Sequence, residues 1–308
     1  MCKSTKDCVW IFDRCSGTMQ REPVLGETLL CLAYKLPVRP ASRATLFKFS
    51  IFSRMLGRYA DSSLSRSKID AAIRNLGLKT EEFARPPEDF RSFNDFFTRR
   101  LKPECRPWDK NPHVLCSPAD CRIACCRNLR SAARFAIKGT GFTLGRLLGK
   151  KGAAYAKRFA EGIAVVCRLS PADCHRYYFP ADCRIQEEYS IDGRLDSVNP
   201  LALRLGFPIF EENRREITML EYDQFGPGAY VEVGAFGVGR INHTHAGIHA
   251  EKMHEKGFFA FGGSTIVLIF EKDRVKLDGD LIENSDKGFE TRVKMGERIG
   301  ILSPNRPS

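Results

Sequence analysis

Apolar residues fall into two rhythms along this chain. Downstream of about residue 113 they come as short runs, 162–169, 229–235 and 265–270, separated by Gly, Pro and Asp. Runs of that length, rich in β-branched side chains and bounded by turn residues, predict buried strands. Upstream, from about 25 to 85, the spacing is helical. Ile69, Ala72, Ile73 and Leu76 fall on one helix face, with Ser67 predicted to cap the helix and Gly77 to stop it. Pro86-Pro87 ends this region. Short helices are expected at 94–100 and 280–284 and a strand at 291–293, while residues 1–20 are polar and show no period. Helices first and short strands afterwards predict an α+β fold: an antiparallel β-rich domain over 91–308, preceded by amphipathic helices within 1–90.

The segment 46–59 sharpens that picture. Phe47, Phe49, Phe52 and Leu56 are interspersed with Lys48, Arg54 and Arg58. Such a helix suits a membrane interface, and equally a place packed on the domain core. No run of 18 apolar residues occurs, so no transmembrane helix is predicted. The chain has 308 residues, 43% of them hydrophobic, which is enough for a substantial core. Its net charge of +12 points to acidic partners. No nucleic-acid-binding signature accompanies the charge, so anionic lipid is the expected partner and nucleic acid is not. Between Arg122 and Arg158 there is no Asp or Glu. That stretch fits a patch for anionic headgroups or a solvated basic face. The twelve cysteines show no C-x-x-C spacing and no secretory signal is visible, so they read as reduced cytoplasmic thiols, with no metal site expected.

One constellation carries chemistry. Gly262-Gly263-Ser264-Thr265 stands at the mouth of the apolar run 266–270. Two glycines permit strained backbone and close approach before the serine. A hydroxyl so placed can attack the preceding carbonyl, here that of Gly263. The resulting ester can eliminate and break the chain, and the serine remnant can lose ammonia to become a pyruvoyl group. By itself the motif is equally a Gly-Gly turn leading into a core strand.

Other segments narrow the choice. Phe93-Asn94-Asp95-Phe96-Phe97-Thr98-Arg99-Arg100-Leu101-Lys102-Pro103 is followed in order by Ser117-Pro118-Ala119-Asp120, Ile137-Lys138-Gly139 and Ser170-Pro171-Ala172-Asp173-Cys174-His175-Arg176. Then come Ser197-Val198-Asn199-Pro200, Asn213-Arg214-Arg215-Glu216, Val231-Glu232-Val233-Gly234-Ala235 and the stretch 261–300. This ordered set resembles the phosphatidylserine decarboxylases, in their Gly-Gly-Ser-Thr branch, over roughly residues 20–302. The resemblance implies a proenzyme that cleaves between Gly263 and Ser264 and turns phosphatidylserine into phosphatidylethanolamine and CO₂. A pyruvoyl group made from Ser264 supplies the electron sink that amino-acid decarboxylation needs. It also implies a β chain, 1–263, and an α chain, 264–308, held together by strand pairing. The expected place is peripheral on an anionic membrane: the cytoplasmic face of a bacterial cell membrane, or an endomembrane in a eukaryote. A homodimer is left open.

The same resemblance assigns candidate residues. Asp120 occupies the position of the orienting aspartate, and His175 that of the first histidine of an H-R-x-H motif. The second histidine, which the family uses as base for self-cleavage while the first serves decarboxylation, is here Tyr178. A tyrosine with pKa about 10 is about 0.1% ionised at neutral pH, a deficit of about 10³ in rate against histidine. Three outcomes are open: slow cleavage with Tyr178, His175 serving both steps, or an uncleaved, non-catalytic lipid-binding homologue. Asn213 and Arg215 are candidates for the lipid phosphate or carboxylate, or members of a polar loop. A serine hydrolase built from Ser264, His175 and Asp120 is the other rival, and lacks the G-x-S-x-G elbow.

Overall fold

The computed structural model describes residues 9–22, 50–130, 133–134, 141–196, 198, 208–235, 240–261 and 264–305, the side chains of 50–54 and 133–134 aside. The N-terminal stretch is a hairpin, β1 (Trp10–Asp13) and β2 (Thr18–Arg21). Three helices follow: α1 (Ser50–Asp61), α2 (Ile69–Leu76) and α3 (Phe93–Phe97). Next come β3 (Val114–Cys116), β4 (Cys121–Arg127), β5 (Ala133–Arg134), β6 (Gly141–Phe142), α4 (Leu144–Leu148) and α5 (Ala153–Arg158). The middle of the chain gives β7 (Ile163–Leu169), β8 (Arg176–Tyr178), β9 (Cys183–Ile191), α6 (Ile209–Glu212), β10 (Arg215–Tyr222) and β11 (Gly226–Gly234). The last part gives β12 (Ile241–His243), β13 (His249–Ala250), β14 (Glu255–Phe259), β15 (Ser264–Phe270), β16 (Val275–Leu277), α7 (Gly279–Asp286), β17 (Glu290–Val293) and β18 (Arg298–Leu302).

Ten strands form one sheet in the order β13-β9-β10-β11-β15-β7-β4-β17-β1-β2. All its pairings are antiparallel except β1 with β17. The fold is thus α+β and mostly antiparallel, as the pattern of short apolar runs predicts. β15 lies between β11 and β7, and every one of its residues is buried. That explains its continuous apolar run: a strand covered on both faces has no polar side to show. Val267 and Ile269 pack with Leu147, Leu148, Phe159 and Phe210 on the face that α4, α5 and α6 cover. Ile266, Leu268 and Phe270 pack on the opposite face with Tyr177, Phe179 and Phe259. There the small sheets β12-β14-β8 and β16-β18-β3 cover them.

A separate cluster of Ile69, Ala72, Phe83, Phe90 and Phe96 holds the N-terminal helices together, and it straddles residue 90. Gly77 ends α2 in the left-handed conformation, φ 60°. Ser67 is not the cap of α2. Lys68 holds that position, and the Ser67 hydroxyl donates to the Leu64 carbonyl within a preceding 3₁₀ turn. The hairpin of residues 10–21 is a further correction, since that stretch shows no period in sequence. It is anchored through Glu22, which pairs with Arg122 (2.6 Å) and Arg168 (2.6 Å). Arg168 also meets Glu290 (2.6 Å), and all of these groups are buried.

Part of the acid-free stretch is paired with carboxylates. Arg127, Arg130, Arg146 and Arg158 pair with Asp286, Glu161, Glu211 and Glu271, all supplied from outside it. Among the described residues no helix is long and apolar enough to cross a membrane, and no three Cys, His, Asp or Glu side chains gather as a metal site.

Candidate active site

Ser264 is the first residue of β15, in register with Gly234 on β11 and Leu169 on β7. Its side chain is fully buried and its hydroxyl has no hydrogen-bond partner among the described residues. An orphaned buried hydroxyl is costly and calls for an explanation. Gly262 and Gly263 lie outside the described residues.

Phe261 is the last described residue before Ser264. The Phe261 ring meets Phe93 edge-on at 5.1 Å and Phe97 at 5.3 Å. The other side of the Phe97 ring lies 3.7 Å from the His175 imidazole. The His175 carbonyl accepts the Phe259 amide, so the histidine is tied to the end of β14. Its Nδ1 is 3.1 Å from the Asp173 carbonyl oxygen. A carbonyl can only accept, so Nδ1 carries the proton and Nε2 holds the lone pair. Nε2 has no partner. Burial, with Arg99 and Arg122 adding repulsion, pushes the His175 pKa down to about 3. The imidazole is neutral at any physiological pH, and its free nitrogen is a proton acceptor.

Tyr177 and Tyr178 of β8 face opposite ways. Side chains two apart on a strand share a face. Tyr177 on β8 is buried in the cluster of Ile266 and Leu268, the face of β15 that also carries the Ser264 side chain. His175 stands just before β8 and is fully buried. Arg176 and Tyr178 point the other way, into a cavity of about 650 Å³ lined also by Asp120, Cys174, Trp108 and Met295. Burial raises the Tyr178 pKa, and Cys174 and Glu255 raise it further. The tyrosinate is therefore scarcer than for a free tyrosine.

Asp120 is held elsewhere than at His175. Arg106 Nε and Nη2 donate to its two oxygens at 2.8 and 2.7 Å, and the Met295 amide donates at 2.8 Å. Burial alone would raise its pKa; the Arg106 bonds outweigh that and lower it. Asp120 and Tyr178 are brought together in one cavity, whose lining includes neither Ser264 nor His175. Asn213 and Arg215 lie in the fold interior. Asn213 accepts the Asp196 amide (3.0 Å) and donates to the carbonyls of Asp196 and Gly234 (both 2.8 Å). Arg215 donates to the carbonyls of Leu147, Asn213 and Arg146. Gly234 is the strand partner of Ser264, so Asn213 braces the backbone behind the serine.

Three contributors escape sequence reasoning: the Asp173 carbonyl, which sets the His175 tautomer; Phe97, between His175 and Phe261; and Arg99. Arg99 is buried against Phe83 and Phe96 and donates to the Ala172 and Asp173 carbonyls. The i, i+4 spacing of Phe93 and Phe97 was the one available signal.

A buried, unpartnered serine at the head of a central strand, entered through Gly-Gly, has the arrangement of a self-processing proenzyme rather than that of a hydrolase with an exposed nucleophile. The chain belongs to the phosphatidylserine decarboxylase family, whose model matches residues 93–301. It is 40% identical over 294 residues to a phosphatidylserine decarboxylase proenzyme of Chlamydia pneumoniae, covering 94% of this chain and 95% of the relative. Proenzymes of the same description from Fusobacterium nucleatum and Clostridium novyi are 39% and 38% identical. Each alignment covers 94% of this chain, with 96% and 98% of the respective relative.

Proposed function

We propose that this chain is a phosphatidylserine decarboxylase proenzyme that activates itself at Gly263–Ser264, with His175 as the base. The observation that supports it most is the pair of buried atoms with no hydrogen-bond partner among the described residues, Ser264 Oγ and His175 Nε2. In the first step Ser264 Oγ attacks the Gly263 carbonyl. The C–O bond forms as the Gly263–Ser264 C–N bond breaks, and His175 Nε2 relays the hydroxyl proton to the leaving amine. Loss of the Ser264 α-proton then expels the Gly263 carboxylate, and water replaces the nitrogen, which leaves as ammonia.

The pyruvoyl group so made supplies the electron sink for decarboxylation. The residues present fit it: Ser264 starts a strand fixed on both edges, Asn213 braces Gly234 opposite, and the Ser264 side chain is fully buried. The α fragment would stay in place, because it supplies β15 between β11 and β7 and β17 between β4 and β1. The cavity of Asp120 and Tyr178 is lined by Arg100, Lys102, Arg106, Lys110 and Arg176; Asp120 and Glu82 hold Arg106 and Glu255 holds Arg100 and Arg176, so Lys102 and Lys110, with no ion pair among the described residues, are the cations for an anionic headgroup. Membrane contact falls to α1 and the turn after it, where Met55 (63%), Tyr59 (42%) and Leu64 (75%) are exposed beside Arg58. Phe47, Phe49 and Phe52 of that stretch and the Arg54 side chain lie outside the described residues.

Ser264→Ala tests this reading. It removes both the nucleophile and the pyruvoyl precursor, so cleavage and CO₂ release from phosphatidylserine vesicles should both stop. CO₂ release by the variant at the wild-type rate would overturn it.

A further inference from the structure

The peptide entering the Gly263–Ser264 bond is held from outside the strands. Beyond the end of β14, the Ala260 amide donates to the Arg240 carbonyl at 3.0 Å, and the Phe261 amide donates to Asn94 Oδ1 at 2.9 Å. Asn94 Nδ2 donates in turn to Asp61 Oδ1 at 2.6 Å. Asp61 Oδ2 accepts Arg240 Nη2 at 2.5 Å, which closes the circuit. Asp61 is the last residue of α1, and Asn94 lies in α3, the same helix whose Phe93 and Phe97 grip the Phe261 ring. Both the ring and the amide of Phe261 are therefore fixed by one short helix, and that helix is fixed to α1.

The position asks for an amide side chain. It must accept from an N–H on one side and donate to a carboxylate on the other. Alanine can do neither. Aspartate keeps the acceptor but sets a second carboxylate against Asp61.

We propose that Asn94 is a positioning residue for self-cleavage, holding the peptide that leads into the scissile bond at a fixed distance from the end of α1. This rests on the reading that the chain cleaves at Gly263–Ser264. Attack on the Gly263 carbonyl requires a narrow approach, and a misplacement of about 1 Å at such a step costs up to roughly 10²-fold in rate. Asn94 touches no reacting atom. Its influence belongs to maturation and is absent once the chain is cut.

The test is a time course of precursor and fragment on denaturing gels for wild type, Asn94→Ala, Asn94→Asp, the exchanged pair Asp61→Asn/Asn94→Asp, and Ser264→Ala as the uncleavable control. Asn94→Ala should cleave roughly 10- to 100-fold more slowly than wild type. Asn94→Asp should also be slow. The exchanged pair should return to within about 3-fold of wild type, since one donor again faces one carboxylate and the Phe261 amide keeps its acceptor. Decarboxylation per cleaved chain, in both kcat and KM, should match wild type for Asn94→Ala. Equal cleavage rates for wild type and Asn94→Ala, an exchanged pair as slow as Asn94→Asp, or a loss confined to kcat of cleaved chains would each overturn the proposal. Should Asn94→Ala fail to fold, as thermal unfolding would reveal, the comparison of Asn94→Asp with the exchanged pair decides alone. A folded wild type that never cleaves would remove the self-cleavage reading and this proposal with it. A wild type that cleaves no faster than its Asn94 variants removes only the latter.

Discussion

Asp120 and Arg106 form a two-pronged, buried ion pair, 2.8 and 2.7 Å, in the wall of the cavity that Tyr178 faces. With the Met295 amide also donating, the carboxylate is committed to holding 295 against 106. Removing the cation leaves a buried, uncompensated charge. Arg106→Leu should therefore destabilise the fold by about 3–5 kcal/mol, read as a lower urea midpoint at unchanged slope. The lowered Asp120 pKa sets the sign of the acid response. Its stabilisation is complete above the unfolded carboxylate pKa, about 4, and is lost as pH falls through the folded value below it.

The base can be assigned by pH. A tyrosinate base would make maturation faster by about tenfold per pH unit throughout the range below its pKa, which burial holds above the ordinary value of about 10. His175, with its pKa pushed down to about 3, is already neutral at pH 5. Maturation should then be nearly flat between pH 5 and 8 when followed by the appearance of the fragment. Tyr178→Phe should mature within about threefold of wild type, and His175→Asn should be slower by about 10² to 10⁴. A steep alkaline rise that Tyr178→Phe abolishes would return the role to Tyr178.

The N-terminal hairpin should matter for stability out of proportion to its length. Glu22 faces two buried guanidiniums, Arg122 and Arg168, on neighbouring strands. Glu22→Ala strands both beside fewer acids and should cost about 3–5 kcal/mol, whereas Glu22→Gln, which keeps a hydrogen-bond acceptor, should cost less. Chemical denaturation of uncleavable Ser264→Ala precursors carrying each change separates stability from processing.

Membrane contact through α1 should be electrostatic in part. Arg58→Glu together with Leu64→Ser should weaken binding to anionic vesicles in sedimentation assays. Wild-type binding should decline as salt rises, since exposed charges are screened over about 10 Å at 0.1 M. Binding to neutral vesicles that ignores both salt and these changes would place the contact elsewhere.

The central strands were legible because burial on both faces leaves an unbroken apolar run, as at 265–270, and α7 and β17 followed from the same spacing rules. The hairpin of 10–21 was not, because its residues are largely exposed and its main partner, β17, lies some 280 residues away in sequence. Ser264 and His175 were legible as residue types in a motif. The surroundings of Tyr178 were not: its cavity is shared with Asp120 and Met295, which come from distant parts of the chain. Asn94 stood in a recognised segment, yet its partners Asp61 and Phe261 come from distant parts of the chain, so only the folded chain shows what it holds.

The most direct measurement is the intact mass of the purified, denatured wild-type protein. Self-processing predicts two species, residues 1–263 and a fragment spanning 264–308. The smaller should be lighter by one ammonia than the same peptide beginning with serine, and should react with hydrazine reagents. A single species at the mass of the full chain, or a small fragment that begins with an unmodified serine, would contradict the account.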